Sequence, residues 1–400
     1  MKLVIKYLAD YLQFKLSLIF GGRKDYEVWR AKSYLLNKTE IKNKKIAHEI
    51  EKACKKSDGG LTYEEFLHID QFGVNGYHAT SKNHGITYAY KHWGKALARV
   101  CQKKNISHVL ELGPGAGDLA IQILKEAKKV NYEITWSGVE LSSDFRREIK
   151  KRFKDFGLRD KLEELVADIS ELKSRQQSLV VFSYSLDSIP PQIFINTRDK
   201  RGYPNAIIGI KINKGEVQEI VLDENMLRKK GLGLDKGIYH DEGGLKFDIS
   251  SWNLYPFQRA YIPFKAFFLF ARFARKFPTS TFVIIDEFRP PPSPFDIEHL
   301  GVPKDLNRFK RDLDNLEKSY KETGSNLLYY PFYFMTFYKF IHALGFRSIK
   351  YDIEQRMARE ITGESWVSLK GFFSTYAFIV SDKDASRDIL PIEFPKTKLI

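Results

Sequence analysis

His108-Val109-Leu110-Glu111-Leu112-Gly113-Pro114-Gly115-Ala116-Gly117-Asp118-Leu119 reads as a buried strand, a glycine turn and a helix start in immediate succession. Gly113, Gly115 and Gly117 let the backbone bend sharply and approach a ligand with no Cβ in the way, and the apolar run from Leu119 to Leu124 continues as the helix behind the turn. Glu111 closes the strand with an acid. The spacing acid-x-Gly-x-Gly-x-Gly departs from the dinucleotide fingerprint Gly-x-Gly-x-x-Gly at its third glycine, and it lacks the Lys-Ser/Thr pair that a phosphate-binding loop needs. A nucleoside ligand without phosphates fits this cradle best; the other reading is an ordinary glycine turn between two core elements.

Four hundred residues suffice for one large α/β domain with insertions, or for a catalytic domain with a smaller appendage. Aromatic residues are plentiful, with 30 Phe and 21 Tyr against 4 Met, so rings build much of the core or line a groove. The net charge is +15, and residues 1–60 alone hold 14 Lys and Arg against 7 Asp and Glu. Such a basic leader attracts RNA, anionic membranes or acidic proteins. Cys54 and Cys101 are the two cysteines, with no Cys-x-x-Cys pair and no clustered His, which argues against a disulfide framework and a zinc site and for a reduced, cytoplasmic setting. Met1 to Phe20 is interrupted by Lys6, Asp10 and Lys15 and reads as an amphipathic helix, not a signal peptide. Five basic residues between Phe257 and Phe277 likewise exclude a membrane span there.

Strands and helices alternate after the cradle as a parallel, doubly wound sheet requires. Residues 133–141 form a strand ending in an acid, 144–156 a charged helix, 162–167 a short strand before Asp168, and 179–183 an apolar strand that runs to Pro190-Pro191. Residues 191–278 break the rhythm with hairpin-like strands and an aromatic helix, and a β-branched strand resumes at 281–288. A helix over 333–344, a strand over 347–353 and a last strand over 375–381 close the chain. The expected division is a basic helical leader (1–65), a nucleoside-binding half (66–190), an insertion that serves as a lid (191–278) and the remainder of the sheet (279–400). The cradle and this closing strand pair resemble class I methyltransferases, which implies an α/β doubly wound fold and S-adenosylmethionine (SAM) as cofactor.

In an open α/β sheet the ligand sits at the carboxyl ends of the strands, where the strand order reverses. That rule selects Glu140 for the ribose hydroxyls, with capping of the next helix as its alternative, and Asp168 for the adenine amine or, equally, a helix cap. Glu111 faces the cationic amino group of the methionine moiety. Ser183, ending the fourth strand, is a cofactor-side candidate, while Tyr184 and Asp187 stand where this fold faces the methyl group and its acceptor. Asp187 is the candidate to orient or deprotonate a nitrogen acceptor, against an ordinary Asx-turn before Pro190. Asp286 and Glu287 form a second acidic pair, a chemistry that suits a guanidinium substrate.

The loop Gly76-Tyr77 with Ser81, the cradle Glu111 to Gly117, Val139-Glu140, the turn Leu186-Asp187-Ser188-Ile189-Pro190, and Ile284-Ile285-Asp286 beyond a long insertion resemble the MidA-type family of SAM-dependent methyltransferases over roughly residues 60–300. The family includes a mitochondrial complex I assembly factor that methylates arginine, so the resemblance implies a protein substrate. It also carries Gly113, Gly115, Gly117 and Glu140 over as cofactor residues and Asp187 as the substrate-side acid; Tyr77 and Asp286 are further substrate-side candidates. Ala116 stands where the family has arginine, Ser183-Tyr184 where it has Asn-Glu, and Asp286-Glu287-Phe288 where it has Asp-Tyr-Gly. Three other readings stay open: a catalytically silent assembly factor, an RNA methyltransferase using the basic leader, and a small-molecule enzyme with an aromatic lid. A homodimer is compatible with each.

Overall fold

The computed structural model describes residues 38–57, 59–66, 86–173, 177–187, 189, 191–197, 202–240, 245–250, 259–289, 332–364, 375–384 and 392–393. The first elements are β1 (Lys38–Glu40), α1 (Lys44–Lys56), β2 (Leu61–Thr62), α2 (Ile86–Lys104), β3 (His108–Leu112), α3 (Asp118–Lys129), β4 (Thr135–Val139), α4 (Ser143–Asp155), β5 (Leu162–Val166) and β6 (Leu179–Ser183). Next come β7 (Gln192–Ile195), β8 (Ala206–Asn213), β9 (Glu216–Leu222), α5 (Glu224–Lys229), β10 (Gly233–Asp235), β11 (Ile238–His240), β12 (Lys246–Asp248), β13 (Arg259–Ile262) and α6 (Phe264–Lys276). The chain closes with β14 (Thr281–Arg289), β15 (Phe332–Tyr333), α7 (Phe334–Ala343), β16 (Phe346–Ile353), α8 (Glu354–Thr362), β17 (Thr375–Lys383) and β18 (Ile392–Glu393).

The principal sheet runs β16-β17-β14-β6-β3-β4-β5. Its members are parallel except β17, which lies antiparallel between β14 and β16 as the closing strand pair predicts. Strand order reverses between β3 and β6. The carboxyl ends of β3, β4, β5, β6, β14 and β16 therefore share one edge, and Glu140, Asp168 and Asp187 follow β4, β5 and β6 there.

Helices cover both faces, so β3 and β6 are buried at every position and read as continuous rather than alternating apolar runs. On one face Trp93 and Leu97 of α2, Leu119 and Ile123 of α3, and Met357 of α8 pack with Trp136 and Val181 in a single core. The other face belongs largely to rings. Phe270 and Phe273 of α6 lie 5.3 and 5.2 Å from Phe182 on β6, and Phe270 also touches Phe282 and Phe346. Much of the phenylalanine excess is thus core.

A second sheet, β1-β9-β8-β7-β13 with β2 paired to β8, joins the described part of the leader to the insertion. Asn43 caps α1 by accepting from the Lys45 and Ile46 N–H groups, which turns Ile46, Ile50 and Cys54 inward against Ile208 and Ile210 of β8. At the end of β2, Thr62 and Glu65 exchange the capping-box hydrogen bonds that their spacing predicts. Glu219 of β9, fully buried, accepts a bidentate pair of bonds at 3.0 and 2.8 Å from Arg259 of β13. Removing the cation takes both bonds from a buried side chain, so Arg259→Met should cost about 3–5 kcal/mol in urea unfolding; a loss under about 1 kcal/mol would mean that the pair adds little to the fold.

Candidate active site

The cradle has the form its glycines predict. Gly113, Gly115 and Gly117 have φ of 60°, 55° and 76°, a region that side chains other than glycine enter at a cost. A Cβ on Gly113 would meet Ser185 Cβ at 3.1 Å, whereas a Cβ on Gly115 would have nothing within 4 Å. The turn is held from the β4–α4 side. Glu140, buried just beyond β4, accepts the Gly115 N–H on Oε2 at 3.1 Å and the Ser142 N–H on Oε1 at 2.8 Å. Burial raises its carboxyl above the ordinary value, and these two N–H groups act in the opposite direction. Arg152 of α4 adds a second hold, donating to the Ala116 carbonyl at 2.8 Å and to Asp118 Oδ1 at 2.5 Å.

Across the switch point, β6 ends in a cluster of buried polar groups. Asp187 and Asp286 are both fully buried and hydrogen-bonded to each other, and burial together with the neighbouring Asp187 charge pushes the Asp286 carboxyl well above the ordinary range. Asp286 Oδ2 also accepts the Leu186 N–H at 3.4 Å. Ser183 Oγ, Ser185 Oγ, Asp286 Oδ1 and both amide atoms of Gln192 are buried without a hydrogen-bond partner. Unsatisfied polar atoms are rare in folded proteins and are expected where a polar ligand or water completes them. Tyr184, between the two serines, has φ of 50° and donates its hydroxyl to Glu354 Oε2 at 2.9 Å. Glu354 opens α8 at the end of β16 and accepts the Trp93 indole N–H at 2.8 Å on its other oxygen.

The profile of one protein family, described as "Putative S-adenosyl-L-methionine-dependent methyltransferase", matches residues 92–291, half of the chain. The chain belongs to this family. The methyltransferase is also similar to the crystal structure of a COG1565 superfamily member from Burkholderia thailandensis bound to S-adenosyl-homocysteine, with 12% identity and a TM-score of 0.56, over 85% of this chain and 92% of that one. A native structure of a COG1565 superfamily protein from the same organism has 13% identity and a TM-score of 0.47 over the same shares. By sequence the methyltransferase matches none of the curated proteins. Family and fold agree with the MidA-type resemblance and with SAM as the cofactor.

The cradle suits that cofactor: Gly115 leaves open space beside the buried Glu140 carboxyl. Among the described residues no group of His, Cys, Asp and Glu is arranged to hold a metal, and no helix is long and apolar enough to cross a membrane. Glu140 has one lone pair on each oxygen engaged by the backbone, which leaves capacity for hydroxyl donors. Asp168 is exposed, and its Oδ1 caps the short turn after β5 through the Ser170 N–H at 2.7 Å, the helix-cap alternative weighed from the sequence. Hydrogen bonding to Ser170 keeps its carboxyl below the ordinary range. Tyr77 and Ser81 lie outside the described residues. Sequence reading missed Arg152, Trp93 and Glu354. Glu354 had a signal, since it is an acid directly after a predicted strand, like Glu140 and Asp168.

Glu111 lies inside the sheet, where Trp136 Nε1 donates to its Oε2 at 3.2 Å. Gly138 makes room for that indole, because a Cβ there would meet the Trp136 ring at 2.3 Å. Burial pushes the Glu111 carboxyl from its ordinary 4.5 up to about 8. Between those values the folded chain holds a proton that the unfolded chain has released, so this group's contribution to stability falls as pH rises through that window. Glu111→Gln, which keeps an acceptor for the indole, should flatten the decline and raise the urea midpoint above pH 8 relative to the unsubstituted chain. Parallel pH profiles for the two proteins would show that Glu111 is ionised in the fold.

Proposed function

We propose that this methyltransferase transfers the methyl group to a nitrogen of a protein side chain, with Asp187 as the acceptor-side acid. The observation that carries the reading is the buried, hydrogen-bonded Asp187–Asp286 pair beside the cradle, with unpartnered oxygens on Ser183, Ser185 and Asp286. Such a site offers a carboxylate to an N–H donor and leaves hydrogen-bond capacity that a hydrocarbon acceptor would waste. A cationic side chain suits it in charge as well, and the family resemblance adds a protein as the source of that side chain.

Within this reading Gly113, Gly115 and Gly117 shape the cofactor cleft, Glu140 takes the ribose hydroxyls, Asp168 Oδ2 is left to reach the adenine amine, and Ser183 bonds the cofactor's polar end. Glu111, enclosed with Trp136, shapes the cradle from beneath as a neutral acid. When bound, SAM supplies an electrophilic methyl whose bonding electrons leave with sulfur. Catalysis by the protein is then alignment of the acceptor and removal of its proton. Asp187 orients the N–H, Asp286 holds Asp187 through their hydrogen bond, and Tyr184 faces the acceptor from the neighbouring position.

Methyl-labelled SAM offered together with lysine-, arginine- and histidine-containing peptides, total RNA and a small-molecule extract distinguishes the acceptor classes. Label is expected in peptides; transfer confined to RNA or to small molecules would overturn the protein reading. Asp187→Asn should lower transfer by about 100-fold or more while calorimetry gives S-adenosyl-homocysteine affinity within about 2-fold of the unsubstituted chain. Glu140→Ala, which removes a charged hydrogen-bond acceptor, should weaken that affinity by about 10- to 100-fold; unchanged binding would remove Glu140 from the cofactor site.

A further inference from the structure

Glu354 has no part in the transfer as described above, and it lies beyond the residues that match the family profile. The residue is 5% exposed, and its carboxyl meets two neutral donors, the Trp93 indole and the Tyr184 hydroxyl. No cation among the described residues pairs with it. Trp93 N–H can only donate, so Oε1 must accept, and Oε2 takes the phenol proton in its hydrogen bond. Burial raises the carboxyl above its ordinary value against these two bonds. A buried acid supported this thinly is costly to a fold and is characteristic of functional sites. Its position is equally pointed. Because β16 runs parallel to β14 and β6, Glu354 stands on the same edge as Asp187 and Asp286, and it reaches Tyr184, whose left-handed backbone is an outlier for a bulky residue.

We propose that Glu354 is a positioning residue for methyl transfer, acting through Tyr184. By holding the phenol proton, it turns the lone pairs of the Tyr184 oxygen towards the acceptor. Tyr184 can then only accept, so the acceptor must present an N–H or O–H, and the pair is blind to a nucleophile that lacks a proton. The same pair gives that proton a route. As the acceptor nitrogen's lone pair forms the new bond to carbon and the carbon–sulfur pair leaves with sulfur, the N–H proton passes to the Tyr184 oxygen while the phenol proton passes to Glu354, and solvent later takes it. Charge balances, and no further reactant is needed. The proposal rests on the function proposed above, in which Tyr184 faces the acceptor.

The test needs no acceptor. The full chain is labelled with ¹³Cζ-tyrosine, and the Tyr184 resonance is identified by its loss in Tyr184→Phe. A carboxylate that accepts the phenol hydrogen bond stabilises the neutral phenol, so Glu354→Gln should lower the Tyr184 titration midpoint by about one pH unit or more. Trp93→Phe, which leaves Glu354 with one donor, should move it upwards, and this variant also serves if Glu354→Gln fails to bind S-adenosyl-homocysteine. Midpoints that ignore both substitutions, or that move together in one direction, overturn the role of Glu354. Separately, SAM with its sulfonium charge should shift the Tyr184 resonance where neutral S-adenosyl-homocysteine does not. Equal responses to the two ligands would remove Tyr184 from the methyl group, a failure of the underlying reading that is distinct from failure of the Glu354 coupling.

Discussion

The carboxylate of Glu140 is the contact on which the glycine cradle depends. Three glycine residues with positive φ make the cradle open but cheap to deform, since glycine loses more freedom on ordering than any other residue. Glu140 removes that freedom by accepting one N–H from the turn and one from the start of α4, and so fastens the loop after β3 to the loop after β4. The side chain is buried, which makes an unmet lone pair expensive and the bonds correspondingly firm. Arg152 repeats the principle with opposite charge on the far side of the turn, gripping Ala116 by its carbonyl. Arginine thus reaches the loop from the neighbouring helix.

The edge beyond the switch point is built on a different constraint. Parallel strands deliver their carboxyl ends to one edge, and this edge collects Asp187, Asp286 and Glu354 from β6, β14 and β16. Asp187 and Asp286 hydrogen-bond to each other, and Glu354 accepts from two neutral donors. Burial disfavours charge along this edge and raises the Asp286 and Glu354 carboxyls above their ordinary values.

Much of this was legible in the sequence, for identifiable reasons. Glycine turns, acids that end apolar runs and alternating elements are local signals, and they placed β3, β4, β6, β14 and the closing antiparallel strand within a residue or two. A spacing rule likewise sufficed for the capping box of Thr62 and Glu65. What stayed hidden depends on neighbours distant in sequence. Nothing local says that Glu111 will be enclosed by Trp136 and not left facing a ligand, or that Tyr184 will find Glu354 from a helix 170 positions away. Asp168 marks the boundary between the two cases: its position was legible, and its cap was one of two readings that local residues allowed.

The pairing of β1 with β9 also bears on how the protein is made. β1 is synthesised well before the strand edge it completes, since every strand from β3 to β6 lies between them in the chain. Until then β1 and α1 have no sheet to join, and their apolar residues must wait exposed or be shielded by a chaperone. Contacts of such long sequence separation slow folding, so the leader is expected to dock as a late event, closing a structure whose cradle can already have formed.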